Sequence, residues 1–594
     1  MNSFTLCVSA NIRRASRTAW ILPGLALFIG LSLLQPAQAQ KPASGGQIVF
    51  PVSLIPKLPA SLPTVKLTAQ APPETFLRET LAKQNLDVKT IQPLSHSSLL
   101  ATKTAPENLV GAVEENNLRG YWNLQTGEAE ILPQLEKIKP ERFTGAGDAH
   151  LEQALTLARQ TFASAGFFPK DDTSFTVGEA RPVVGSTAQR RSEGAAPEIS
   201  ATQLYLTYVP VTRTVKGYSV YGTGSRAAIA VGAEGNIQGV VRRWKAGTIS
   251  TNLSEKRTAA QIHDEFAKLL APNTANSDVQ VVGVELAYYD NGGDMMIPVI
   301  RATVRLHPLA HVGSDKALLS SDDWETLYLA FGGGSLPSEL VPGSGPQPGV
   351  APREQASLQN VELPAGDPAI GMYVVRDAPP ASGGTVASSG FVAEANGFWN
   401  GLESSSGASQ FTKAQYYWAL PQYYTTWESS YVNSVNVALT EAHGAPWLFT
   451  TESNCCDEVN IATIPASEGY GAANHGKLDY WIIHSCDVIP SAADVSNWAG
   501  PWWNIFQGLH AVMGSRTSML FDGGAVNQPF GKNIGNGASV VSSWFNATLS
   551  YSPAASQQLD RPSAITVCGH EPDTVYNTSA LPAASCLTNY WMPN

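Results

Sequence analysis

Apolar and polar positions alternate with two distinct periods along this chain. From His150 to Ala165, the residues Leu151, Ala154, Leu155, Leu157, Ala158 and Phe162 recur at three- and four-residue spacing, the stripe of an amphipathic helix. Leu204–Val211 then alternates as a strand, with a turn at Val215-Lys216-Gly217-Tyr218 and strands at Ala227–Val231 and Ile237–Val241. The order repeats with Ser254 as N-cap, a helix over Ala259–Leu270, and strands at Val279–Tyr289 and Ile297–Leu306. Asp290-Asn291-Gly292-Gly293 between those strands is a hairpin signal. Beyond a Gly/Pro segment the pattern changes. Short, nearly continuous apolar runs occur at Val435–Thr440, Leu478–Ile483 and Leu509–Met513, with a short helix over Trp502–Gln507. Runs of that kind are expected of parallel strands buried on both faces.

These patterns divide the chain. Residues 1–39 read as an export signal, because Arg13, Arg14 and Arg17 precede an apolar run from Ala19 to Leu34 and an A-x-A site at Ala37-Gln38-Ala39. The mature protein is then expected to start near Gln40, exported to the periplasm or beyond, with no membrane span after cleavage. Residues 40–73 form a Pro-rich lead-in. Residues 74–148 hold a fainter first α+β module, 149–250 a second, and 251–331 a third; 332–365 is the Gly/Pro linker and 366–594 the last domain.

Charge sharpens the division. After Gly371, six basic residues face sixteen acidic ones, nearly the whole net charge of −11, and ten of the 14 Trp residues lie there too. No block of Lys and Arg interleaves with aromatics, so nucleic acid is not an expected partner. An acidic, aromatic-rich half suits cationic or peptide-like ligands.

Two of the apolar runs end in reactive residues. Val435–Thr440 leads to Glu441-Ala442-His443-Gly444, and Leu478–Ile483 to His484-Ser485-Cys486. The carboxyl ends of parallel strands are where α/β sheets bind ligands. A thiol is mostly protonated near neutral pH, and a neighbouring imidazole can take its proton or stabilise the thiolate. Gly444 allows close backbone approach and adds an N–H for an oxyanion. With Cys7 in the signal, the mature chain keeps five cysteines, an odd number. Cys455, Cys456, Cys568 and Cys586 sit in polar, loop-like surroundings and are the disulfide candidates. They allow three pairings, of which Cys568–Cys586 is the easiest by proximity; Cys486 is left over. Asp487, Asp479 and Asp522 are candidates for an acidic pocket that would take an Arg or Lys side chain. No C-x-x-C or H-E-x-x-H spacing is present, so neither a metal nor a cofactor is expected.

The His443-Gly444 and Ser485-Cys486 strand ends resemble the active site of the caspase/gingipain/legumain-like cysteine peptidases. The resemblance implies His443 as catalytic histidine, Cys486 as nucleophile, Gly444 as an oxyanion contributor and a peptide or protein as substrate. The chain departs from that family in having His484 where many members carry an acid, and in following Cys486 with Asp487-Val488-Ile489-Pro490. Tyr205–Val211, Val215–Gly222 and Gly235–Val240 resemble the PepSY and fungalysin/thermolysin-propeptide modules of secreted bacterial peptidases, which chaperone and inhibit their enzymes. The two resemblances imply a multidomain fold: N-terminal α+β propeptide-like modules, then a C-terminal three-layer α/β caspase-like domain restrained by them. The competing expectation is a caspase-like domain without turnover that binds peptides or glycans at the cell surface.

Overall fold

The computed structural model describes residues 46–593 apart from 71–78, 80–90, 94–108, 115–116, 124–125, 193–194, 255–256, 276, 309–321, 351–367, 376–389, 407–409, 452–457 and 552–558. The export signal, and Cys455 with Cys456, lie outside the described residues.

The three apolar runs are adjacent parallel strands. Val437–Glu441 lies between Ala369–Val374 and Tyr480–His484, and Tyr480–His484 pairs in turn with Ala511–Ser515. Thr412–Trp418 extends the parallel set outside Ala369–Val374. On the other side Pro562–Val567 and Cys586–Trp591 continue the sheet antiparallel. Every residue of the His443 and Cys486 strands is buried, as expected for a sheet covered on both faces. One cover is the helix Gly390–Glu403, which packs on Ala369–Val374, on the His443 strand and on the helix Asn527–Gly535. Glycine makes that helix pair possible: a Cβ on Gly401 would lie 2.1 Å from the Gln528 carbonyl oxygen, and one on Gly531 2.3 Å from that of Phe398. Val540–Leu549 packs beside Ala511–Ser515 and Pro562–Val567.

Many aromatic residues of this half are interior, whereas Trp399, Tyr416, Tyr417, Trp418, Trp427 and Trp447 are only partly buried. Trp481, Trp498, Trp502 and Trp544 are fully buried in its core, and Tyr424 stacks on Trp481. Those four indoles therefore serve packing.

Upstream, the two best-patterned modules fold as their periodicity requires. Ala149–Ala163 buries Ala154, Ala158 and Phe162, four residues apart, against Val209, Ile229 and Trp244. Ala259–Leu270 does the same with Ile262, Phe266 and Leu270 against Val281, Ile300 and Leu329. Its cap is not Ser254, which ends the strand Ala246–Ser254, but Thr258, paired with Gln261 in a reciprocal capping box. Ser277–Tyr289 and Met295–Pro308 form the expected hairpin, and Asp323–Ala330 adds a third strand on Met295–Pro308.

Two strand pairings tie the modules to the C-terminal half. Cys586–Trp591 pairs antiparallel with Arg181–Gln189, so one continuous ladder crosses from one half to the other. Asp323–Ala330 runs parallel to Leu520–Phe521, with Trp324 opposite Leu520 and Glu325 opposite Phe521. The Gly/Pro segment is also docked: Leu340 is buried and Gly349 bridges to Tyr417. The described residues form one large mixed sheet with helices packed against it, and a small antiparallel sheet of Gly444–Ala445, Leu448–Thr450 and Glu458–Asn460. Among the described residues no helix is long and apolar enough to cross a membrane.

Candidate functional site

The site forms where the His443 and Cys486 strands end. Their register places Glu441 opposite His484, so the segments Ala442-His443-Gly444 and Ser485-Cys486-Asp487 leave the sheet side by side. They then touch. A Cβ on Gly444 would lie 2.1 Å from Ser485 Oγ and 2.4 Å from the Cys486 carbonyl oxygen, so the close approach requires glycine. Asp487 turns the chain away with a φ of 53°, a left-handed conformation that aspartate tolerates better than most residues.

One carboxylate joins His443 and Cys486. Asp323, the first residue of the module strand Asp323–Ala330, places Oδ2 on His443 Nδ1 and accepts a hydrogen bond from the Cys486 thiol on Oδ1 at 3.4 Å. The backbone N–H of Met519 donates to the same sulfur at 3.2 Å. Cys486 is fully buried, whereas the His443 side chain keeps 16% of its exposure. Burial, and after it the negative charge of Asp323, push the thiol well above its ordinary range, so Cys486 is held as the protonated donor. Phe391 packs edge-on against His443 at 4.9 Å and against Phe521 at 4.6 Å, fixing the imidazole from the side.

A buried polar layer lies beneath. Glu441 Oε2 is 2.7 Å from His484 Nδ1, and Asn527 Nδ2 donates to Glu441 Oε1 at 2.7 Å. Burial raises the Glu441 carboxyl and lowers the His484 imidazole, favouring the uncharged form of each. Glu394 accepts from the backbone N–H groups of Asp522 and Gly524, both at 3.0 Å, and burial pushes its pKa up to about 7. Glu441 and His484 thus clamp together the two strands that carry His443 and Cys486.

The three candidate pocket aspartates are not brought together. Asp487 adjoins Cys486, with its N–H donating to Thr517 O. Asp479 precedes the Cys486 strand, at its opposite end and roughly 20 Å away at the rise of an extended chain. There it accepts from Asn436 at 3.0 Å and from Thr578 at 3.4 Å. Asp522 is buried and saturated by Thr326, Tyr328 and Tyr551, with Arg301 Nη2 at 3.7 Å. Among the described cysteines Cys568 and Cys586 are disulfide-bonded across two neighbouring strands, with Cα atoms 5.5 Å apart, and Cys486 is free. His510, in the core, and His570 both direct Nδ1 to Asp573 Oδ2, at 2.6 and 2.7 Å.

Asp323 is the residue that the sequence did not disclose. It stands 120 positions before His443, in a different module, and belongs to no motif.

Residues 384–565 match the model of a domain of unknown function, DUF6345. No curated protein matches the chain. A crystal structure of an uncharacterized protein from Eubacterium rectale ATCC 33656 aligns at 10% identity over 49% of this chain and 88% of that one, with a TM-score of 0.26. A similarity that slight carries no argument about fold or function.

Proposed function

We propose that the C-terminal half is a caspase-like cysteine peptidase domain of an exported protein, held latent by the modules that precede it. The observation that carries this reading is that Cys486 and His443 stand at the carboxyl ends of adjacent parallel strands and share one carboxylate between them. The strand sequence supports it as well. In chain order the first parallel strand lies between the second and the third, and the fourth and fifth follow outward, which makes the His443 and Cys486 strands neighbours.

In this reading the Cys486 thiolate attacks a peptide carbonyl carbon and a C–S bond forms. The C–N bond then breaks, and His443 returns the proton to the leaving amine. Water hydrolyses the acyl-enzyme and regenerates the thiol. The acyl oxygen needs donors, and the backbone N–H groups around Gly444 and Cys486 are nearest to hand. A peptide library separates the possibilities: cleavage abolished by both Cys486→Ala and His443→Ala supports the peptidase, and cleavage untouched by either refutes it.

The full burial and protonation of the thiol favour a second reading, a domain without turnover that binds a peptide. In that case Cys486→Ala leaves binding intact, and no product forms under any condition.

A further inference from the structure

We propose that Asp323 is an intramolecular latch: its carboxylate fills the space between Cys486 and His443 that a substrate carbonyl must enter, and the strand behind it covers the edge along which a substrate would lie. The inference rests on the peptidase reading of the site and names the group that keeps it closed.

Four observations support a blocking role over a positioning one. First, an acid that merely orients a catalytic imidazole bonds to the ring on the side away from the nucleophile. Asp323 instead contacts the ring nitrogen and the sulfur together, one oxygen to each. A carbonyl carbon cannot approach the sulfur past it. Second, Trp324 and Glu325 pair with Leu520 and Phe521, the short strand next to the site. Extended peptides bind by pairing with free strand backbone, and the backbone of Leu520–Phe521, which pairs with no other described strand, is taken by the latch strand. Third, Asp323 lies outside residues 384–565, the stretch matched by the domain model, whereas His443 and Cys486 lie inside it. The blocking group therefore comes from another part of the chain. Fourth, a neighbouring carboxylate repels a thiolate and accepts a thiol hydrogen bond, so its presence selects the unreactive form of Cys486.

The latch strand is held at a second point. Thr326 Oγ1 and Tyr328 Oη both donate to Asp522, and Thr326 also donates to Phe521 O at 3.2 Å. Its other edge is paired along its length with Met295–Pro308, from Leu306 opposite Asp323 to Val299 opposite Ala330. The module sheet therefore carries Asp323 rigidly into the site, and opening requires the whole strand to withdraw from Leu520–Phe521.

The test is the alkylation rate of Cys486 in the full-length chain, with iodoacetamide near neutral pH and no reductant, read by peptide mapping. Wild type is expected to label slowly. Asp323→Ala is expected to label at least about tenfold faster, the change in thiolate population that one unit of pKa gives. A folded Asp323→Ala protein that labels no faster than wild type overturns the latch. If Asp323→Ala loses its cooperative melt, Asp323→Asn and the pair Thr326→Ala with Tyr328→Phe, which loosens the anchor on Asp522, give the same comparison. No acceleration in either also overturns it. Peptide cleavage separates this idea from the reading beneath it. An Asp323→Ala protein that labels fast yet cleaves nothing leaves the latch standing and removes the peptidase. A wild type that cleaves as fast as Asp323→Ala, in a His443-dependent way, removes the latch and leaves the peptidase.

Discussion

Gly444→Ala is the smallest change that should disturb the site, and its size can be worked from the structure. The added methyl would sit 2.4 Å from the Cys486 carbonyl oxygen and 2.1 Å from Ser485 Oγ. Ser485 can rotate, but the Cys486 carbonyl belongs to the backbone. Ordinary contact therefore requires the two loops to part by about 1 Å, against a five-pair parallel ladder that ends one residue before each loop. Overpacking of this kind costs about 1–3 kcal/mol. On the proposed peptidase reading, a displacement of about 1 Å between the Cys486 sulfur and the His443 imidazole also costs on the order of a hundredfold in rate. The assays are thermal denaturation of the full-length chain and, in an Asp323→Ala background, peptide cleavage. The expected result is a lowered melting temperature together with a large loss of turnover. A Gly444→Ala protein with unchanged stability and unchanged turnover would refute the claim that the His443 and Cys486 loops meet backbone to backbone.

Other outcomes follow from the same packing. Removing the Cys568–Cys586 bond, which closes a loop with a sequence separation of 18, should cost about 3 kcal/mol, seen as a lower denaturant midpoint for Cys568→Ser/Cys586→Ser. Glu441→Ala leaves Asn527 without its acceptor and His484 Nδ1 without its partner and should cost about 1–3 kcal/mol in the same assay, whereas Glu441→Gln should cost less. Glu394 should make stability fall as pH rises. Burial raises its folded pKa from 4.5 to about 7, so the unfolded chain gives up the proton first, and stability drops between about pH 4.5 and 7, by up to about 3 kcal/mol. Glu394→Gln should therefore gain on wild type as pH is raised through that window and no further above it, as read from denaturant midpoints at pH 5, 6, 7 and 8.

Local patterns made much of the scaffold legible. The helix Ala259–Leu270 is read to the residue because Ile262, Phe266 and Leu270 mark one face. Its cap is harder, because Ser254 and Thr258 are both competent and only the reach of Gln261 back to the Thr258 N–H decides between them. The strand ends at His443 and Cys486 stand out because buried parallel strands are short apolar runs, and a polar residue after one marks the sheet edge. Asp479 is misleading for the same reason: it is close to Cys486 in sequence, yet the extended strand between them puts the two at opposite ends. Aromatic content alone did not separate core from binding surface, since burial of Trp481 or Trp544 depends on helices and strands far off in the chain. The place of Asp323 beside His443 and Cys486 is not legible in the sequence, because it arises from a pairing of Trp324 and Glu325 with Leu520 and Phe521, almost two hundred residues apart. No local preference encodes such a meeting.

The central claim is that Cys486 and His443 form a nucleophilic pair. It is tested most directly by peptide-library cleavage with Asp323→Ala, compared with Asp323→Ala/Cys486→Ala and Asp323→Ala/His443→Ala. The account expects new amino termini only from the protein that keeps both Cys486 and His443. Equal cleavage by all three, or none from a protein whose Cys486 is freely alkylated, would contradict it.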